Sequence, residues 1–329
     1  APLVANLIAL AIKVLPVTLI ISARFSKLIP NSSVKLLLAF IYLALPNSTE
    51  IYANMANIQW HLALLACMVI LAEPSSAFGW RFFDLGVMLL AALSGPFAPF
   101  LILISGLYWW LTRRHWLVFL ILSLTVGLVI QGITIVLNTN AARSTVALGA
   151  TPVLFAKILA GQVFISTLIG QTGYGKLMSL GGGYSLLASL IAILGVLAIL
   201  YSLRKGPLEL RLFIFYGTLI FGAALISATV PWNILALPGA ATRYWFIPML
   251  AFVALLVWLL SQKHPLWLRR VAILMLAIMA MGIAADWHYP ALVDLHFKEY
   301  AAQFERSPQG TKVAIPINPL GWSMELIKH

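Results

Sequence analysis

Apolar residues dominate this chain in blocks of helical length, not at the alternating positions of a half-buried strand. Runs of roughly 17–25 apolar residues can cross a bilayer as helices, and shorter runs qualify where Pro or Gly interrupts them. Ten stretches fit: 2–22, 34–46, 58–73, 82–94, 97–112, 116–138, 183–202, 211–230, 244–261 and 270–286. The pattern predicts an all-α, polytopic membrane helical bundle of about ten transmembrane segments. On this reading residues 1–286 are the transmembrane domain, with an outer loop over 139–182, and 287–329 are a short extracytoplasmic C-terminal tail.

Two places strain the pattern. Residues 82–112 must cross twice, turning at "LSGPFAPF". Residues 152–172, "PVLFAKILAGQVFISTLIGQT", are apolar enough to span. A crossing there would invert the side of every later connection, so this stretch is expected to be an interfacial or re-entrant helix of the outer loop.

Composition agrees: 62% of the 329 residues are hydrophobic and only 9% charged, whereas soluble domains carry about a quarter charged residues. The formal charge of +12 does not point to nucleic acid, because the basic residues are scattered singly and in pairs between apolar runs. They set topology instead. One set of alternate connections holds Arg24, Lys27, Lys35, Arg81, Arg113, Arg114, Arg204, Lys205, Arg211, Lys263, Arg269 and Arg270; the other holds Arg143, Lys157, Lys176 and Arg243. The first set is cytoplasmic by the positive-inside rule. Both ends then lie outside, and the reading expects a further helix upstream. The single cysteine, Cys67, lies inside an apolar run, which excludes a disulfide framework.

The cytoplasmic connections are short and carry neither a phosphate-binding loop nor a dinucleotide fingerprint. Chemistry would therefore belong to the outer side or the membrane interior, where a substrate must arrive already activated. A lipid-linked substrate is the natural form.

The stretch "LPNSTEIYANMANIQWHLALL", residues 45–65, concentrates polar groups between apolar blocks. On one helix, Asn47, Glu50, Asn54, Asn57 and His61 fall at spacings of 3, 4, 3 and 4 and would form one polar stripe. Two readings stand. Asn47 and Glu50 have the spacing of a capping box, with the asparagines bonding neighbouring helices. Alternatively the stripe lines a wet outer cavity with Glu50 as a general base. Asp286 reads as a boundary charge at the end of the last span. Arg243 with Tyr244, and Arg143, Lys157 and Lys176 in the outer loop, could hold a phosphate or snorkel to headgroups. Glycines 173, 175 and 181–183 could form an anion nest or a mobile loop. Lys13, mid-span beside Pro16, implies a partner or a cavity. No acid or histidine cluster has metal-ligand spacing, and no cofactor is called for.

"LPNSTEIYANMANIQWHLALL", "LSGPFAPFLI", "TRYWFIPMLAF" and "VAIPINPLGW" resemble a group of multi-pass bacterial membrane proteins whose layout is similar to the GT-C glycosyltransferases. That class includes protein mannosyltransferases and the aminoarabinose transferases of lipid A. The resemblance implies a protein of the bacterial inner membrane that moves a sugar, with inversion, from a polyprenyl-phosphate donor to an acceptor on the extracytoplasmic face. GT-C enzymes carry a catalytic acid in the first outer loop, after the first helix; both are missing from this layout. Glu50 is the candidate catalytic residue here, with Asn54, Asn57, His61, Arg243, Tyr244, Lys176 and Arg143 as substrate-binding candidates. The partners implied are the lipid-linked donor and membrane lipid. A transporter or lipid flippase, or a non-catalytic subunit of a membrane assembly, remains open on the residues alone.

Overall fold

The computed structural model describes residues 2–52, 55–137, 147–287, 293–318 and 322–328. The chain divides into two compact units, Ala1–Trp287 and His288–His329.

The first unit is helical. Its elements are α1 (Pro2–Ile21), α2 (Ser32–Ala44), α3 (Ile58–Leu71), α4 (Phe78–Ser94), α5 (Ala98–Thr112), α6 (Trp116–Leu137), α7 (Pro152–Ile158), a π-helical segment (Leu159–Ile165), α8 (Ser166–Met178), α9 (Gly182–Lys205), α10 (Leu208–Ile226), α11 (Trp232–Leu235), α12 (Thr242–Leu259) and α13 (Leu266–Asp286). Each of the ten apolar stretches overlaps one of these helices. Punctuation follows local chemistry. The Asn31 side chain accepts from the Ser33 and Val34 N–H groups at 2.8 and 3.3 Å to start α2. Thr151 caps α7 with Pro152 behind it, and Gly206 closes α9.

Seven helical stretches are long and apolar enough to cross a membrane: α1, α6, the continuous run Pro152–Met178, α9, α10, α12 and α13. Shorter apolar helices include α2, α3 and α5. This is a multi-pass membrane bundle. Its core is built around α3, in which every residue from Trp60 to Leu71 is buried, and α12, where Trp245–Val253 is buried without a break. The outer helices invert the soluble pattern: Leu7, Leu10 and Val14 of α1, Leu122 and Val126 of α6 and Leu190, Leu194 and Leu197 of α9 are exposed, as lipid-facing residues are.

One end of the bundle is tied by charge. Arg24 grips Asp84 bidentately, Nη1–Oδ1 at 2.6 Å and Nη2–Oδ2 at 2.9 Å, and its Nε donates to the Glu73 carbonyl at 3.0 Å. Trp116 Nε1 adds a bond to Asp84 at 3.3 Å, and Lys27 and Arg114 reach the Glu73 carboxylate at 2.6 and 3.8 Å. These bonds join the connections after α1, α3 and α5, three of those that the basic-residue count places together.

The run Pro152–Met178 is not straight. Gly170 has φ 72° and ψ 179°, a backbone open in practice only to glycine. A Cβ on Gly161 would collide with the Tyr174 hydroxyl. Thirteen residues of straight helix would separate those residues by about 20 Å, far beyond the reach of a tyrosine, so the chain folds back at Gly170. The Trp232 N–H donates to the Leu148 carbonyl at 2.9 Å, and the Tyr174 hydroxyl donates to that of Ala236 at 2.6 Å. The start and the returning limb of the hairpin therefore meet the same short segment.

The second unit corrects the all-α expectation. It contains α14 (Phe297–Arg306) and an antiparallel hairpin of β1 (Lys312–Ile317) and β2 (Trp322–Ile327), with Val313 opposite Leu326 and Ile315 opposite Met324. Val313 and Ile315 point to the buried face. Reading only apolar blocks of helical length passes over a strand of six residues.

Candidate functional site

The stretch after α2 is not one helix, which corrects the expected polar stripe and capping box. Pro46 follows the end of α2, and Asn47 takes a left-handed backbone (φ 53°), tolerable for asparagine. Two separate 3-10 turns follow, Thr49–Ile51 and Met55–Asn57, and α3 starts only at Ile58. Helical spacing therefore does not align the described side chains; Asn47, Glu50, Asn57 and His61 each turn to a different neighbour. Asn54 lies outside the described residues. The Asn47 N–H, which a capping box would give to Glu50, goes instead to Asp286 Oδ2 at 2.9 Å.

Glu50 faces α12. Its Oε2 accepts from the Arg243 backbone N–H at 3.2 Å and from Arg243 Nη1 at 3.1 Å. The carboxylate sits at the N-terminus of α12, where the helix dipole favours negative charge. The Glu50 N–H reaches Thr242 Oγ1 at 3.4 Å, and Asn57 Nδ2 donates to the Glu50 carbonyl at 2.8 Å. The ion pair is partly open, with the side chains of Arg243 and Glu50 35% and 21% exposed. The Arg243 guanidinium also lies 4.9 Å over the Tyr244 ring. Tyr244 packs edge-on against Trp60 at 5.7 Å, and Trp60 against Phe97 at 4.7 Å. The "SGPF" turn between α4 and α5 thus borders the same place.

His61 is deeper, 1% exposed. Its Nε2 is 3.0 Å from the Ile51 carbonyl and its Nδ1 2.7 Å from the Tyr42 hydroxyl, which also lies 2.8 Å from the Lys13 carbonyl. Phe246 packs edge-on against the imidazole at 5.2 Å. Lys13 places its ammonium 3.3 Å above the Tyr52 ring, while the Tyr52 hydroxyl donates to the Leu43 carbonyl at 2.7 Å. Three consecutive residues are therefore held from three sides: Glu50 by α12, Ile51 by α3 and Tyr52 by α1 and α2.

A second polar knot adjoins through Asn47. Gln162, fully buried in the π-helical segment, gives both Nε2 hydrogens to the carbonyls of Leu235 and Leu237 at 2.7 Å each. Asn47 Nδ2 reaches Gln162 Oε1 at 3.4 Å, whereas Asn47 Oδ1 is buried with no hydrogen-bond partner. Asp286 takes the Gln171 N–H at 2.8 Å and the Thr172 N–H at 3.4 Å in addition to that of Asn47. Its carboxylate occupies the turn opened by Gly170, where a Cβ would collide with it. Asp286 does end α13, as the boundary-charge reading has it, and in addition staples that helix to two loops.

Of the expected site residues, the structure gathers Glu50, Asn57, His61, Arg243 and Tyr244 around residues 50–52. Lys176 is exposed near the end of α8 and makes no ion pair or hydrogen bond to Glu50 or Arg243. Arg143 lies outside the described residues. Tyr42, Tyr52 and Trp60 join the cluster without having been singled out; aromatic residues within apolar runs give no signal until the fold brings them to a polar partner. No family model, curated protein or solved structure matches this chain.

Proposed function

We propose that this protein is a GT-C-like glycosyltransferase of the bacterial inner membrane. It would transfer a sugar from a polyprenyl-phosphate donor to an acceptor on the extracytoplasmic face. The carrying observation is the pairing of Glu50 with Arg243 across 193 residues of chain. It sets a carboxylate and a cation together in a half-open position, beside the Tyr244 ring, which packs on Trp60. Glu50 takes the acceptor hydroxyl proton. Arg243 spends one N–H on Glu50, and the rest of its planar fork is suited to a departing phosphate.

The topology in this reading has ten spans, α1 to α6, α9, α10, α12 and α13, with the hairpin Pro152–Met178 re-entering from the outer side. The charged knot of Arg24, Asp84 and Glu73 then lies at the cytoplasmic end, and Glu50, Arg243 and the C-terminal tail lie outside. A transport path is less well supported: below His61, the residues Leu62–Leu71 of α3 are all buried and apolar apart from Cys67, so α3 itself lines no polar route.

Glu50→Gln in proteoliposomes supplied with a polyprenyl-phosphate sugar tests the reading. We expect transfer to fall by about 100-fold or more, the usual weight of a general base, while Asn57→Ala falls less. Undiminished transfer by Glu50→Gln removes Glu50 from the mechanism. Uptake of a solute in place of transfer by the wild type overturns the enzyme reading.

A further inference from the structure

Asn47 leaves one polar atom unexplained. The residue is 1% exposed, and among the described residues its buried Oδ1 has no hydrogen-bond partner. A swapped amide does not account for this. Gln162 gives both Nε2 hydrogens to the carbonyls of Leu235 and Leu237 at 2.7 Å each, so its Oε1 is the atom that faces Asn47. Asn47 must then present Nδ2 to that oxygen, at 3.4 Å; the reverse orientation would set two acceptors against each other. Oδ1 is left over, and a buried acceptor left bare is destabilising.

The surroundings of this atom are electronegative. The Asn47 N–H donates to Asp286 Oδ2 at 2.9 Å. Among the described residues that carboxylate has no Lys, Arg or His in ion-pair contact. Asp286 is the last residue of α13, and Asn47 follows closely on the end of α2 at Ala44. Two helix C-termini therefore meet here, the ends at which a helix dipole favours positive charge. Gln162 occupies the middle of the π-helical segment, a rare geometry that is frequent at functional sites.

We propose that Asn47 Oδ1, with Gln162 Oε1 and the Asp286 carboxylate beside it, forms a site for a monovalent alkali cation, Na+ or K+. The chemistry selects the class. Amide and carboxylate oxygens are hard ligands. One carboxylate matches one positive charge, whereas a divalent ion would leave net charge in the protein interior. Among the described residues no group of three or more His, Cys, Asp or Glu converges, which disfavours a transition metal. A water molecule could donate to Oδ1 but would leave the charge of Asp286 uncompensated. Asp286 is half-buried, so an ion has a way in along its carboxylate. Bound there, the ion ties α13 and the π-helical segment to the turn that carries Glu50, whether or not Glu50 serves sugar transfer.

The experiment uses the full chain in a non-ionic detergent at constant ionic strength, with NaCl or KCl titrated against N-methylglucamine chloride. The unfolding temperature is the readout. We expect Na+ or K+ to raise it saturably, by about 5 °C at a hundredfold excess over Kd, while N-methylglucamine, too bulky for the site, has no such effect. Asp286→Asn should bind the ion at least about tenfold more weakly, the equivalent of one charge-assisted contact. Asn47→Asp accepts the same left-handed backbone and adds a second negative charge, so it should gain a stabilisation by Ca2+ that the wild type lacks.

Equal unfolding temperatures in the three salts overturn the inference and leave a water as the partner of Oδ1. An unchanged response in Asp286→Asn overturns it as well, because the ion would then bind elsewhere. Should either variant fail to fold, the wild-type titration decides: a saturable one-site response to Na+ or K+ supports the site, and a response that grows linearly with salt overturns it.

Discussion

Replacing Asp286 by alanine tests whether the Gly170 hairpin is held by this one carboxylate. The side chain accepts the N–H groups of Asn47 at 2.9 Å, Gln171 at 2.8 Å and Thr172 at 3.4 Å. A hydrogen bond to a charged group contributes about 1.5–3 kcal/mol, so the two short bonds together contribute about 3–6 kcal/mol and the long one adds little. Asp286 is only half-buried and water can replace part of this, which places the expected loss near the lower figure, about 3 kcal/mol. At ~2–4 °C per kcal/mol for domains of 150–250 residues, that lowers the unfolding temperature by about 6–12 °C. Cys67, the single cysteine and fully buried, supplies the assay: its alkylation by a fluorogenic maleimide during a thermal ramp reports opening of α3. Asp286→Asn keeps one acceptor oxygen and should lose about half as much. Gly170→Ala attacks the same turn through the backbone, where a φ of 72° with ψ 179° costs an alanine roughly 1–3 kcal/mol. An Asp286→Ala protein that melts within about 2 °C of wild type would refute the reasoning, because it would assign those bonds less than 1 kcal/mol in total.

Further outcomes follow from the charged end and from one loop. Asp84→Ala strands Arg24, 7% exposed, and should cost about 3–5 kcal/mol. The double variant Arg24→Met, Asp84→Leu should recover most of it, and the same cysteine assay ranks the three proteins. His264, in the loop between α12 and α13, packs edge-on against Trp258 at 4.3 Å, and burial pushes its pKa below the ordinary 6.5. The unfolded chain then binds the extra proton more readily, so stability is complete above pH 6.5 and declines as the pH falls through that value. Unfolding temperatures measured across this range should show a slope that His264→Gln flattens.

What could be read from sequence was what depends on neighbours along the chain. Each apolar block overlaps a helix because its apolar residues run to helical length, and basic residues of two connections meet the acid of a third at one end. Residues 152–172, expected as an interfacial or re-entrant helix, lie in the run Pro152–Met178, which is long and apolar enough to cross a membrane and breaks at Gly170. The polar stripe failed for a local reason: Pro46 and the left-handed Asn47 tighten the chain into separate turns, so spacings of three and four no longer mean one face. The partners of Asp286 and Arg243 were not legible for a distant reason. Their partners, Asn47, Gln171 and Glu50, lie more than 110 residues away, and no local pattern encodes that meeting. Lys13 was visible as an anomaly, because a charge within an apolar run stands out whatever the fold.

The unbroken burial from Leu62 to Leu71 limits what α3 can carry. Ten residues of helix span about 15 Å, and an ionisable side chain introduced anywhere along them would have to give up its water.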